Sequence, residues 1–520
     1  MAGSPPTPQA MSAPFILQRA QRVMFSSNGF RAPTVHYQPG ASALFFTAEK
    51  WFVSDPFWSF GLQALLSNWW EGTAGSGGQE NANGNSITYE AISWQIGNNG
   101  SPFQGKLNGS TSSYTLADDS EIWSDPTSPL LLIPPNTRCC VRVAGFIADS
   151  SKFVSSPGQG LRPHFGDKTE WGTSSLASKV MAKGISTTVP GGNLVYAPVP
   201  CAIAAKGWDG RPVGLIVGTS IEQGVGEGRL YCNAYGEVGA VGRGMTSQVG
   251  GAPRYPAANF AVSGGLAGGI TGAGNNQGLT RRMRAFAALN PAGTDPFTFI
   301  YSGFGTNDQT SSLSAWQTTM TTLWTALKAA WPNAWLVQST LWPRIQSSNG
   351  FTDVAGQSAQ SANWTWPTGS ACGLYNWKRQ LQSPYYLDEV LDRHNGISNL
   401  DGGGTPMTWR TDILPSWQTT LSASTLAAAT TLTAAAQAAA GDTIGFTADN
   451  PEAQIISTTS GGAAPFTWAM AASMANAHTS TAVIKEAVSA DGTHPSRRSA
   501  RSAAELIYAP AKIAGRFGGG

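Results

Sequence analysis

The chain has 520 residues, more than one ordinary core accommodates, so two or three domains are expected, each large enough to bury an interior. Charged residues make up only 12% and aromatics 10%, with 19 Trp and 61 Gly, a balance unlike a disordered chain and closer to a rigid, β-rich protein with a polar surface. The net charge of +2, with no Lys/Arg run, argues against nucleic acid or an anionic membrane as principal partner.

Residues 1–19 read as an N-terminal tail. The first fourteen residues lack the basic start and apolar run of a signal peptide, and no stretch reaches the roughly 18 apolar residues of a membrane span, so a soluble, unprocessed chain is expected. Over residues 20–205, short alternating or apolar runs are cut by Gly, Asn, Pro and Ser. SITYEAISWQI at 86–96, LLLIPP at 130–135 and CVRVAGF at 140–146 predict strands. No long amphipathic helix interrupts them, which predicts one β-sandwich domain.

The pattern changes near Arg211. PVGLIV at 212–217 predicts a buried strand ending in Gly218, Thr219 and Ser220, and 297–301 predicts another. Between them runs a Gly-rich stretch at 236–278. Residues 311–330 carry helical spacing, with Leu313, Trp316, Met320, Leu323 and Leu327 on one side. A strand at 334–338, a helix near 375–381, a short run at 385–390 and a closing helix at 496–514 complete a parallel α/β domain formed by 206–415 and 487–520. Residues 416–486 turn Ala- and Thr-rich, with strand-like pieces at 430–432, 442–446 and 453–457, and predict a small inserted β module. Helix over 427–440 is the weaker alternative there.

Five cysteines, Cys139, Cys140, Cys201, Cys232 and Cys372, form no CxxC pair and no zinc-like spacing, so ordinary buried or free thiols are expected, and no metal. A Gly-X-Ser turn after a buried strand places a hydroxyl at the carboxyl edge of a parallel sheet, where open α/β folds put their sites. Alone, Gly218-Thr219-Ser220 is more often a plain turn. A serine nucleophile needs a base oriented by a carboxylate. Of the five histidines, His36, His164, His394 and His478 read as structural or solvated. His494 sits in DGTHPS at 491–496, where Asp491 can reach its ring, although a simple Asp-Gly turn before a helix cap is the plain alternative. Acyl transfer also needs donors for the oxyanion. Asn307, in GTND at 305–308, offers an amide, and Gly264, in NFAVSGG at 259–265, offers a backbone N–H in a position a carbonyl can approach.

In this order, Gly-X-Ser, a glycine after a strand-like run, Gly-Thr-Asn-Asp and a late Asp-X-X-His resemble the four blocks of the SGNH (GDSL-like) hydrolase family. The resemblance implies a three-layer α/β/α, flavodoxin-like hydrolase domain. It implies Ser220 as nucleophile, the Ser220 N–H with Gly264 and Asn307 as oxyanion hole, and Asp491 and His494 completing the triad. Thr219 departs from the family, where Asp is usual. The sequence at 22–29 and 123–126 is similar to the jelly-roll-like β-sandwich domains ahead of some bacterial SGNH hydrolases. The inserted module resembles small β modules of phage virion proteins, which suggests a tail or other virion component, or an extracellular location, and homo-oligomeric or virion assembly. The expected activity is a serine esterase removing acyl, above all acetyl, groups from a carbohydrate, without a cofactor. The competing reading is a carbohydrate-binding or virion protein on a retired hydrolase scaffold.

Overall fold

The computed structural model describes most of residues 23–391 and short stretches between 418 and 486. Residues 1–22, 392–417 and 487–520, with shorter stretches such as 226–231, 248–253, 272–277 and 381–388, lie outside the described residues. Asp491, His494 and the expected closing helix at 496–514 are therefore among the positions not described.

The first part of the chain is antiparallel. Strands β1 (Val23–Ser26), β2 (Phe45–Val53), β3 (Phe60–Ser67), β4 (Ile87–Ile96), β5 (Glu121–Trp123), β6 (Arg138–Ile147), β7 (Lys168–Gly172) and β8 (Ala202–Lys206) form two sheets. One runs β1-β8-β3-β5. The other runs β7-β2-β6-β4, with the short strands Phe103–Gln104 and Tyr114–Leu116 against β4. Phe46, Phe52, Leu62, Leu66, Ile92, Trp94, Val141, Val143 and Ile203 fill one core drawn from both sheets. The opposite face of the second sheet is buried too, around ionic side chains. Arg142 Nε meets Glu49 Oε2 at 2.6 Å, and its Nη2 meets Gln95 Oε1 at 2.6 Å. Such buried charges are tolerated only when paired.

The expected strand at 130–135 is not formed. Only Ile133 pairs, in a single bridge to Ser59, while Leu130 is 90% and Leu132 59% exposed. The two prolines that follow supply no N–H to a ladder, which ends the pairing.

From Gly214 the sheet becomes parallel. Strands β9 (Gly214–Val217), β10 (Ala257–Asn259), β11 (Phe299–Ser302), β12 (Trp335–Ser339) and β13 (Glu389–Leu391) lie in the order β10-β9-β11-β12-β13. Counted along the chain this is 2-1-3-4-5, a doubly wound order whose switch point lies between the first and third strands. β9 and β11 are buried along their whole length, as an apolar parallel strand covered on both faces requires. The Gly-rich stretch is more regular than its composition suggests. It contains helix α2 (Ala240–Met245), strand β10 and helix α3 (Ala267–Thr271), and β10 stops at Asn259, ahead of the apolar run at 260–262. Helices α4 (Gly278–Ala287), α5 (Leu313–Ala330) and α6 (Ser370–Gln380) complete the described helices that accompany the later strands. In α5, Trp316, Met320, Leu323, Trp324 and Leu327 are buried, and the Ser312 hydroxyl accepts the Ala315 N–H at 3.3 Å as its cap.

The parallel sheet and the first β unit share apolar packing. Phe57, Leu65, Trp69, Trp123 and Ala204 belong to the same cluster as Leu215, Val217, Phe260, Phe286, Ile300 and Leu336. Polar bonds fix the contact: Trp123 Nε1 donates to the Ala285 carbonyl at 2.6 Å, Arg281 Nε pairs with Asp119 at 2.6 Å, and Arg254 Nη2 donates to the Ser54 carbonyl at 2.7 Å.

The third part is antiparallel: β14 (Gln418–Thr420), β15 (Thr431–Ala434), β16 (Thr443–Phe446), β17 (Ala453–Ser460), β18 (Phe466–Met470) and β19 (Val483–Glu486), in the order β14-β19-β16-β17-β18-β15. β15 occupies the Thr-rich part of 427–440 that composition left between strand and helix. Leu432, Ile444, Phe446, Ile456 and Trp468 make its core. No described helix is long and apolar enough to cross a membrane.

Candidate active site

Three sequence-predicted residues lie in the turns that follow three neighbouring parallel strands. Ser220 follows β9, Gly264 follows β10 and Asn307 follows β11, so all three stand at the carboxyl edge of the sheet beside its switch point. Ser220 opens a single helical turn, α1 (Ser220–Gln223), and is 6% exposed.

The three turns are tied to one another by hydrogen bonds. The Val262 N–H donates to the Gly218 carbonyl at 3.1 Å, and the Ser263 N–H to Gln223 Oε1 at 3.1 Å. Asn307 Nδ2 donates to the Gly265 carbonyl at 3.2 Å, and Asp308 Oδ1 accepts the Ala267 N–H at 3.0 Å. Gly264 adopts φ +76°, a left-handed conformation that side chains rarely take. An amide carries two N–H groups, so Asn307 can hold the Gly265 carbonyl and still offer a donor to a substrate oxygen.

Residues that sequence reasoning passed over complete the surroundings. Glu222, fully buried, accepts at Oε2 from the Thr219 N–H at 2.9 Å and the Thr219 hydroxyl at 3.0 Å, and at Oε1 from Trp342 Nε1 at 3.0 Å. The Thr-x-x-Glu spacing of a capping box was present as a signal. Lys378, also fully buried, donates from Nζ to the Phe304 carbonyl at 2.6 Å behind the Gly305 turn. It lies in α6, 70 residues beyond the Gly-Thr-Asn-Asp block, and no local pattern marks it.

Burial pushes the Asp308 carboxyl up from 3.8 to about 6. A carboxyl raised on folding binds more protons in the folded chain than in the unfolded one between those values, so its contribution is most favourable below pH 3.8 and is lost as pH rises to about 6. Asp308→Asn, which keeps the acceptor for Ala267, is expected to remove that loss, worth at most about 3 kcal/mol. Thermal midpoints of the two proteins compared from acid to neutral pH should diverge in favour of the variant, and parallel curves would contradict the assignment.

Among the other histidines, His478 is 2% exposed, stacks on Phe446 with ring centroids 3.6 Å apart, and belongs to the third part of the chain. His36 lies on the strand Pro33–Tyr37, and His164 and His394 are outside the described residues. Cys139, Cys140, Cys201 and Cys232 are free thiols, and burial pushes Cys139 and Cys201 up to about 12, far from a reactive thiolate. Among the described residues no group of His, Cys, Asp and Glu could hold a metal ion.

No protein-family model and no curated protein matches the sequence. Solved structures overlap it slightly. A family two carbohydrate esterase from Cellvibrio japonicus is 14% identical with a TM-score of 0.24, covering 75% of this chain and 92% of its own. An acetyl xylan esterase from the rumen bacterium Butyrivibrio proteoclasticus is 11% identical with a TM-score of 0.23, covering 75% and 94%. A putative GDSL-like lipase from Parabacteroides merdae is 16% identical with a TM-score of 0.24, covering 36% and 78%.

Proposed function

We propose that the chain is a serine ester hydrolase of the SGNH type, with a three-layer α/β/α catalytic domain, that removes acyl, above all acetyl, groups from a carbohydrate. The observation that carries this reading is the convergence of Ser220, Gly264 and Asn307 in bonded turns at the switch point of the parallel sheet. Asp491 orients His494, which takes the Ser220 hydroxyl proton as the oxygen attacks the acyl carbon. The negative oxygen of the tetrahedral intermediate is held by the Ser220 and Gly264 N–H groups and the Asn307 amide. Collapse expels the alcohol, protonated by His494, and leaves an acyl-serine. Water, deprotonated by the same imidazole, then releases the carboxylic acid and restores Ser220.

Among the described residues seven tryptophans, Trp69, Trp94, Trp324 and Trp342 among them, are fully buried, so packing accounts for much of the tryptophan. Trp58, 47% exposed on the first β unit, retains a face on which a sugar ring can stack.

The test is hydrolysis of p-nitrophenyl acetate and longer-chain esters by wild type and Ser220→Ala. Turnover biased to acetate and lost by roughly 10⁴-fold or more in the variant is expected. Retained turnover in Ser220→Ala would sink the assignment, and an inert wild type would favour a binding role.

A further inference from the structure

We infer that Glu222 is a positioning residue for the Ser220 nucleophile, an inference that rests on the function proposed above. Its carboxylate sits under the nucleophile turn and accepts three hydrogen bonds: two from Thr219, at 2.9 and 3.0 Å, and one from the Trp342 indole at 3.0 Å. Its own backbone carbonyl accepts Asn259 Nδ2 at 3.0 Å. Glu222 thus joins the residue before Ser220 to β10 on one side and to the chain just beyond β12 on the other.

The surroundings are shaped for it. A Cβ at Gly218 would stand 2.7 Å from Glu222 Oε2, and one at Gly303 would collide with the carboxylate carbon and both its oxygens. Two strand-end glycines therefore leave the room this side chain fills. The chemistry also fits: a carboxylate accepts from all three donors without presenting a proton, whereas an amide must turn its NH₂ toward one of them.

The arrangement accounts for Thr219. A threonine at this N-cap brings its own hydroxyl donor, and the anion that serves the turn comes from the third residue of the helix instead. The Thr219 N–H and hydroxyl are held by Glu222, which fixes the Gly218–Thr219 peptide, and the Thr219 carbonyl accepts the Gln223 N–H at 3.0 Å, so the residue before Ser220 is held through both of its peptide groups and sets the direction of the Ser220 N–H and side chain.

The experiment measures kcat and KM for p-nitrophenyl acetate in the full chain, with active serines counted by a fluorescent phosphonate. Per titrated serine, Glu222→Gln is expected to lower kcat roughly 10- to 100-fold with KM within about twofold. The double variant Thr219→Asp/Glu222→Thr, which moves the carboxylate to the other end of the same pair, is expected to recover most of that loss. A residue that only stabilised the fold would reduce the number of active serines and leave kcat per serine unchanged. That outcome, or a double variant no better than Glu222→Gln, overturns the inference. Should Glu222→Gln fail to fold, Trp342→Phe, which keeps a buried aromatic ring but removes the indole donor to Oε1, is expected to lower kcat per serine about threefold, and an unchanged value overturns the inference. A wild type without turnover, or a Ser220→Ala variant that keeps it, overturns the nucleophile assignment and this inference together. An inactive Ser220→Ala beside an unaffected Glu222→Gln overturns this inference alone.

Discussion

His494→Ala is expected to lower kcat/KM for aryl acetate roughly 10⁴-fold or more, and the Ser220→Ala/His494→Ala double variant should be scarcely worse than either single one. The reason is that the two groups act on one proton. Without the imidazole the serine hydroxyl stays protonated and is a poor nucleophile, and without the hydroxyl the imidazole has nothing to activate. Once either is gone, only substrate binding and the oxyanion donors remain, and these are common to all three variants. Losses that multiplied in the double variant would mean that His494 and Ser220 work independently, and the triad would be wrong. Asp491→Asn belongs to the same set, with a smaller loss, because it orients the base and takes no part in the bonds that form and break.

Asn307→Ala is expected to lower kcat roughly 10²- to 10³-fold with a much smaller change in KM. The amide is useful only where the carbonyl oxygen gains charge, so its removal falls on the chemical step. The variant also loses the 3.2 Å bond to the Gly265 carbonyl, which loosens the turn carrying Gly264. Asn307→Asp keeps the size of the side chain but replaces both amide donors with acceptors, so it loses the same bond to the Gly265 carbonyl and in addition turns an acceptor toward the oxyanion. It should be at least as damaging to kcat as alanine. An Asn307→Asp protein more active than the alanine variant would place the oxyanion elsewhere.

The parallel strands were legible in the sequence because a strand buried on both faces must be apolar throughout: residues 212–217 announced β9, and α5 announced itself through a stripe of large apolar side chains. The positions of Ser220 and Asn307 beyond buried strands were legible because both strands read as apolar runs, whereas the run at 260–262 ahead of Gly264 forms no strand and only the order of the blocks singled that glycine out. What stayed hidden depended on distance along the chain. Trp342 meets Glu222 across 120 residues, and Lys378 meets Phe304 across 74. Neither contact leaves a periodicity. Residues 130–135 misled in the opposite direction, because hydrophobicity favours burial but cannot provide the N–H groups that two prolines lack. The 2-1-3-4-5 order was likewise not written in any single strand, since it follows from which faces the intervening helices cover.

The shared cluster around Trp123, Phe286 and Val217 bears on how this protein can be taken apart. A fragment beginning near residue 206 would be cut through a packed interior rather than at a hinge, leaving Phe286 and Phe260 wet where Trp123 and Leu65 had covered them. The first β unit is therefore one wall of the same building as the nucleophile turn. Exchanging it for a foreign sugar-binding domain would require transplanting the apolar seam and the Arg281–Asp119 pair along with the new binding face.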